Sequence, residues 1–71
     1  MSQNAKILRY IRERGSITPQ EALNLYGCMR LGARIHELRR QGYDIRSERE
    51  TARNRFGERV TYARYIWGGG A

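Results

Sequence analysis

The segment that begins at Thr18 constrains the fold most strongly, because it carries both ends of a short helix within one stretch. Thr18 is a favourable N-cap residue, Pro19 suits the first helical position, and Glu21 stands where a capping box places its acidic residue. Gly27 can adopt the left-handed conformation that ends a helix. The sequence therefore predicts a helix that begins at Thr18 and closes at Gly27.

A further helix is expected directly after this turn, beginning near Cys28 or Met29 and ending near Gln41. Gly42 supplies the residue at which it stops. Apolar residues recur at helical spacing and define one buried face. These residues are Leu31, Ile35 and Leu38.

The flanking segments complete a pattern of three helices followed by a β-hairpin. An apolar stripe predicts a helix over residues 2–14. Alternating patterns predict strands over residues 45–49 and 60–67, separated by a polar turn. We therefore expect an α+β fold, mainly α, with a two-stranded antiparallel hairpin. One domain over residues 1–67 would precede a flexible glycine-rich tail over residues 68–71.

The order of these elements is that of a winged helix-turn-helix, and the chain resembles the small winged helix-turn-helix proteins common in phages and prophages. The resemblance rests on ITPQEAL, the YG turn, the block RLGARIHELRRQGYDI and a final strand containing ARY. The turn is about two residues longer than that of simple helix-turn-helix repressors, which favours the winged subtype. The resemblance implies DNA binding and a regulatory role.

Charge points to a polyanionic partner. The net charge is +7, and Lys6 is the only lysine among 14 basic residues, so the remainder are arginines. The guanidinium group binds a phosphate, or guanine O6 and N7, in bidentate fashion. Genome composition could also favour arginine, and charge alone would equally suit RNA or an anionic protein surface.

The expected compartment is the cytoplasm, without membrane insertion. No apolar run approaches the ~20 residues that span a bilayer, and the first residues lack the pattern of a signal peptide. A single cysteine, Cys28, cannot form an internal disulfide, which agrees with a reducing location.

The groove-facing residues are predicted from the apolar face of the third helix. If that face points inward, Arg30 and Arg34 share an outward face near the helix N-terminus, the part that meets base edges. Met29 and Ala33 lie nearby and could contact a thymine methyl group. The alternative is that both arginines are simply solvated.

The hairpin tip supplies a second set of candidate contacts, to the DNA backbone or the minor groove. The glutamates of the strands would leave only the tip basic, and Phe56 is expected to fold back onto the strands. Thr18 could contact a phosphate at the N-terminus of the second helix. The candidate residues of the tip are Arg53, Asn54, Arg55 and Arg59, with Asn54 alternatively a turn former.

Catalysis, metal binding and cofactors are not expected. Cys28 and His36 lie about two turns apart, but zinc requires three or four ligands and no further cysteine or histidine is present. A chain of 71 residues also leaves little room for a substrate cleft.

Sequence-specific binding of double-stranded DNA is the favoured function, as a transcriptional regulator or a recombination accessory factor. The alternative is a protein-interaction module that binds and modulates a host complex, and binding of structured RNA ranks third. A monomer and a homodimer are both compatible with the sequence.

Overall fold

The computed structural model describes residues 2–70. Three helices and three strands follow one another in the order α1, β1, α2, α3, β2, β3. Their bounds are α1 Gln3–Arg14, β1 Ser16–Ile17, α2 Pro19–Tyr26, α3 Leu31–Arg40, β2 Tyr43–Arg53 and β3 Arg59–Gly70.

Both ends of α1 follow from local hydrogen bonding. The Ser2 hydroxyl accepts from the Ala5 amide at 3.1 Å, and Gly15 takes a left-handed conformation with φ 90°. The Gly15 amide donates to the Ile11 carbonyl at 2.8 Å, which satisfies one of the last carbonyls of the helix. The predicted first helix is therefore present at nearly its expected bounds.

The predicted capping box of α2 is present. The Glu21 amide donates to the Thr18 hydroxyl at 3.2 Å, and the Thr18 amide donates to the Glu21 carboxylate at 2.8 Å. Gly27 closes the helix at φ 64°, and its amide donates to the Leu23 carbonyl at 2.9 Å. The reciprocal bonds fix the direction in which the chain enters α2, and Gly27 fixes the direction in which it leaves.

Helix α3 begins at Leu31, later than the predicted start near Cys28 or Met29. The Cys28 amide still donates back to the Ala22 carbonyl of α2 at 3.1 Å, and the Cys28 side chain is buried. Because Cys28 belongs to the close of α2, the chain needs residues 28–30 to turn before the next helix starts. Arg30 occupies the N-cap position.

The sheet has three strands rather than the predicted two. Strand β1 pairs antiparallel with β3 through Ser16 opposite Ile66 and Ile17 opposite Tyr65, giving the order β1-β3-β2. The sequence indicated only a link here, because two residues are too short for a visible alternation. The burial of Ile17 explains the pairing. Strands occupy nearly as much of the chain as helices, so "mainly α" is inaccurate.

The predicted flexible tail is wrong for Gly68–Gly70, which form the end of β3 opposite Tyr43 and Asp44. The strand β2 approaches these glycines closely, most strictly at Gly70. A Cβ at Gly70 would lie 2.6 Å from the Tyr43 ring, and one at Gly68 would lie 2.5 Å from the Asp44 carboxylate. Ala71 lies outside the described residues.

A single apolar cluster joins all three helices to the sheet. The apolar face predicted for α3 is buried within it, and Arg39 ties that helix to β2 by donating from Nε to the Ile45 carbonyl at 2.8 Å. Within residues 2–70, no helix is long and apolar enough to cross a membrane. The buried apolar residues are Ile7, Ile11, Ile17, Ala22, Cys28, Leu31, Ile35, Leu38 and Ile45.

Candidate nucleic-acid interface

The solvent-facing side of α3 is set by its buried side. With Leu31, Ile35 and Leu38 inward, a rotation of about 100° per residue places Ala33 and Arg40 on the opposite face, with His36 and Glu37 on either side of them. His36 and Arg40 are exposed, and Ala33 is half-buried. Ala33 is among the predicted contacts, whereas His36 is not, although the same helical spacing places it on this face. We call Ala33, His36 and Arg40 the exposed face of α3.

Arg34 does not point outward as predicted, since its side chain is only 33% exposed. Its Nη2 lies 2.6 Å from the Glu37 carboxylate, which also accepts from the Asn4 amide group of α1 at 3.3 Å. The Arg34 Nε is buried and has no hydrogen-bond partner among residues 2–70. The angular position of Arg34 around the helix axis is too close to the buried face for the side chain to lie on the opposite side. It lies instead at the junction of α3 with α1.

Met29 and Arg30 lie in the turn before α3 and not on the helix itself. Met29 is 86% exposed, and Arg30 is exposed at the N-cap, with no side-chain capping bond among the described residues. Both remain at the N-terminal end of α3, where free backbone N–H groups are also available to an anion. Their predicted contacts with DNA stay predictions.

The N-terminal part of α3 lies near the tip of the Tyr65 side chain, which extends from strand β3. A Cβ built on Gly32 would stand 3.4 Å from the Tyr65 hydroxyl, which is van der Waals contact. The face of the sheet that carries Tyr65 is therefore the face that carries α3.

The β2–β3 hairpin has two chemically different faces. Side chains alternate along a strand, and the register from Ile45–Trp67 to Arg53–Arg59 continues without a shift. One face carries Ile45 and Tyr65, which pack under the helices. Further along the hairpin the same face carries exposed cationic side chains, which we call the arginine face. The arginine face consists of Arg49, Arg53 and Arg59.

The glutamates of β2 lie on the other side, together with Arg46 and Arg64. The expectation that Glu48 and Glu50 leave only the tip basic is therefore wrong, because alternation removes both from the arginine face. Arg49 is absent from the predicted wing contacts because that prediction also left the alternation of side chains along β2 out of account. A count of positions from Arg53, in steps of two along the strand, would have identified it.

Glu50 and Arg64 stabilise the reverse face of the hairpin. Arg64 Nε donates to Glu50 at 2.8 Å, and its Nη1 donates to the Ser16 hydroxyl at 3.0 Å, which connects all three strands. The hydrogen bond from Arg64 lowers the pKa of Glu50, with a further contribution from Tyr62. The same bond raises the pKa of Arg64, so both groups stay charged. Their role in the structure is to hold the strands together.

Asn54 organises the turn at the hairpin tip. Its side-chain oxygen accepts from the amides of Phe56 at 2.9 Å and Glu58 at 3.1 Å, and its backbone amide donates to the Glu58 carbonyl at 2.9 Å. Of the two roles considered for Asn54, the structure supports turn formation. Arg53 contributes by donating from Nη1 to the Gly57 carbonyl at 2.8 Å.

Phe56 does not fold back onto the strands as expected, since it is 77% exposed. The Arg55 guanidinium carbon lies 6.0 Å from its ring centroid. Arg55 and Phe56 therefore form the outermost point of the hairpin.

Thr18 is 5% exposed, and its hydroxyl is engaged with Glu21 at the start of α2. A phosphate contact by this side chain was predicted, but the capping box leaves the hydroxyl covered. Glu21 also accepts from the Tyr10 hydroxyl of α1 at 3.2 Å. Burial raises the pKa of Tyr10, and the Glu21 carboxylate raises it further.

Residues 2–68 match the family described as the winged helix-turn-helix domain. The chain belongs to this family. No curated protein and no solved structure matched in the same comparisons. In winged helix-turn-helix terms, α2 and α3 form the helix pair, and β2 with β3 forms the wing.

Membership of the winged helix-turn-helix family indicates DNA binding. Helix α3 packs on the face of the sheet that carries Ile45, and the arginine face of the wing continues that same face. The helix and wing residues thus belong to one face of the sheet, while the side chains of Thr18 and Asn54 form hydrogen bonds within the fold.

Proposed function

We propose that this chain binds double-stranded DNA sequence-specifically, with α3 in the major groove and the wing on the backbone or in the adjacent minor groove. The single observation that carries the proposal is that α3 and the arginine face of the wing lie on the same face of the sheet. A duplex lying against that side meets cations along the wing and avoids the glutamates of β2.

Base readout is assigned to the start of α3. Ala33 presents a methyl group to a thymine methyl, and the His36 imidazole donates to or accepts from base edges. Arg30, exposed at the N-cap, can form the bidentate contact with guanine O6 and N7. Arg40 follows near the C-terminal end of the helix, where a phosphate contact is more suitable.

The arginine face of the wing supplies contacts that do not depend on sequence. Arg49, Arg53 and Arg59 are exposed along the wing and can follow successive phosphates. Such contacts fix the register and orientation of a protein on DNA, and they release counterions. Strong salt dependence of binding is the expected consequence.

The biological role that we infer is a phage-type transcriptional regulator or recombination accessory factor. Its support is the resemblance of the block RLGARIHELRRQGYDI to small phage winged helix proteins. The chain would act as a binding protein and not as an enzyme.

A second candidate function is binding to a host protein, and a specific surface favours it. Leu23 and Met29 are exposed beside Pro19 and Gln20, and these residues line a shallow apolar depression with Cys28. Stoichiometric retention of a host protein after nuclease treatment, together with no duplex binding, would support this function.

A selection from a random duplex library tests the first proposal. Enrichment of a single motif is expected, and two copies about one helical turn apart would identify a homodimer. Repeating the selection with His36→Ala should broaden the motif, whereas Leu25→Ala, at an exposed position of α2, should reproduce it. Recovery of no motif with the unmodified chain would contradict sequence-specific binding.

A further inference from the structure

The tip of the wing places an aromatic ring in solvent. Phe56 is 77% exposed, and it stands at the turn between β2 and β3, away from the apolar cluster that holds the helices. An exposed phenylalanine contributes no hydrophobic stabilisation to the fold. Its exposure indicates a binding role if the turn also holds the ring in place and if the neighbouring side chains suit one kind of partner.

The turn holds Phe56 in a defined position. The Phe56 amide donates to the Asn54 side chain at 2.9 Å, and the next amide, that of Gly57, donates to the Asn54 carbonyl at 3.0 Å. Gly57 adopts φ 78°, and its carbonyl accepts from Arg53. A loop held in this way loses little conformational entropy when it binds, which favours insertion of the ring into a partner.

The charged side chains around Phe56 indicate what kind of partner the ring would bind. Arg55 lies beside the ring, and Arg53 and Arg59 form the last cross-strand pair before the turn. Two copies of such a tip would repel each other, which argues against self-association through Phe56. An apolar ring flanked by guanidinium groups instead suits a site that offers stacked bases between two rows of phosphates.

The wing is long enough to reach a second groove. Ile45 is the buried residue of β2, and the strand continues from it to Arg53. At about 3.3 Å per residue, that distance is roughly 26 Å. Adjacent major and minor grooves are separated by about half a duplex turn, or ~17 Å. With α3 in the major groove, the tip can therefore reach the neighbouring minor groove.

We propose that Phe56 inserts between two base pairs from the minor groove, while Arg55 binds the groove wall, and that the chain thereby kinks its DNA. Apolar wedges of this kind partly unstack one base step and bend the duplex toward the major groove. Pyrimidine–purine steps unstack most easily, so TA and CA steps within A·T-rich DNA are the preferred sites. This inference rests on the proposed function.

Fluorescence on the highest-affinity duplex from the library selection tests the inference. End-labelled dyes report bending by energy transfer, and 2-aminopurine at each candidate step reports unstacking. The unmodified chain should raise the 2-aminopurine signal several-fold at one step and shorten the distance between the ends. Phe56→Ala should abolish both changes, with affinity altered by no more than about fivefold, because the unstacking penalty disappears with the contact.

Two control variants separate insertion from folding. Phe56→Leu keeps an apolar wedge and should retain most of the bend, while Leu25→Ala, which removes a side chain that is 55% exposed on α2, should bend DNA as the unmodified chain does. Circular dichroism of all variants should show the same helix content.

A mismatched base pair at the distorted step provides a second measurement. Because a mismatch removes part of the unstacking penalty, the unmodified chain should bind it about tenfold more tightly than the matched duplex. Phe56→Ala should bind both duplexes equally.

The outcomes distinguish this inference from the proposed function. Tight, motif-specific binding without unstacking or bending would overturn the wedge alone. Bending by Phe56→Ala equal to that of the unmodified chain would also overturn it. Failure of the unmodified chain to bind any selected duplex would overturn both.

Discussion

Arg53 and Arg59 stand directly opposite each other as the last cross-strand pair of the wing. Like charges in directly opposed positions of an antiparallel pair destabilise it. Arg53 is partly compensated by its hydrogen bond to the Gly57 carbonyl. The pair therefore weakens the isolated wing slightly, and a phosphate placed between the two guanidinium groups would remove the repulsion.

Arg59→Ala should weaken binding to all duplexes alike. Loss of one phosphate contact should reduce the slope of log K against log salt by about 1. Folding stability should stay the same or rise by a few tenths of a kcal/mol, because the repulsion with Arg53 is removed. Anisotropy titrations at several salt concentrations and thermal unfolding measure the two effects. A destabilised variant with an unchanged salt slope would show that Arg59 serves the fold.

His36→Ala and Arg34→Ala should separate base readout from packing. His36→Ala removes a group on the exposed face of α3 and should lower discrimination between the selected motif and random DNA by about 1–3 kcal/mol. Arg34→Ala breaks the partly exposed ion pair with Glu37 and should lower the free energy of unfolding by about 0.5–1 kcal/mol. Competition binding and urea unfolding give both values. The reverse pattern would place Arg34, and not His36, in the groove.

Glu50→Gln should reduce the loss of folding stability that occurs as the pH falls. Hydrogen bonding from Arg64 lowers the pKa of Glu50 below its ordinary value near 4.5. A lowered folded-state pKa contributes stability that is fully present above that ordinary value and is lost as pH falls through the lowered one. Thermal unfolding from pH 7 downward should show a smaller acid loss for Glu50→Gln than for the unmodified chain. Glu48→Gln, an exposed neighbour on the same face, is the control and should follow the unmodified profile.

Thr18→Ala should destabilise the fold without changing the salt slope of DNA binding. The buried hydroxyl caps α2, and loss of such a cap typically lowers stability by about 1 kcal/mol. Thr18→Ser keeps the hydroxyl and should restore most of the loss. A lower salt slope for Thr18→Ala at unchanged stability would instead support the phosphate contact predicted from the sequence.

The helices were predictable because their signals are local. The capping box at Thr18 and the left-handed glycines Gly15 and Gly27 lie within a few residues of the ends that they fix. The start of α3 was missed because Cys28 has no distinguishing cap chemistry. Its place in the turn depends on a bond back to Ala22 and on burial in the core.

The full extent of the sheet could not be predicted locally, because it depends on contacts between residues that are distant in sequence. Strand β1 exists because Ile17 is buried beside β3, and the final glycines are ordered because β2 approaches them closely. The position of Arg34 required a partner on α1, Asn4, through Glu37. By contrast, the two faces of the wing follow from simple alternation, so Arg49 could have been identified from the sequence.

The most direct test of the account compares charge reversal on the two faces of β2. Arg49 and Arg46 are both exposed on the same strand, but only Arg49 lies on the arginine face. In duplex titrations at about 0.1 M salt, Arg49→Glu should weaken binding by more than about tenfold, and Arg46→Glu by less than about threefold. Equal losses, or a larger loss for Arg46→Glu, would contradict the claim that α3 and the arginine face form one DNA-binding surface.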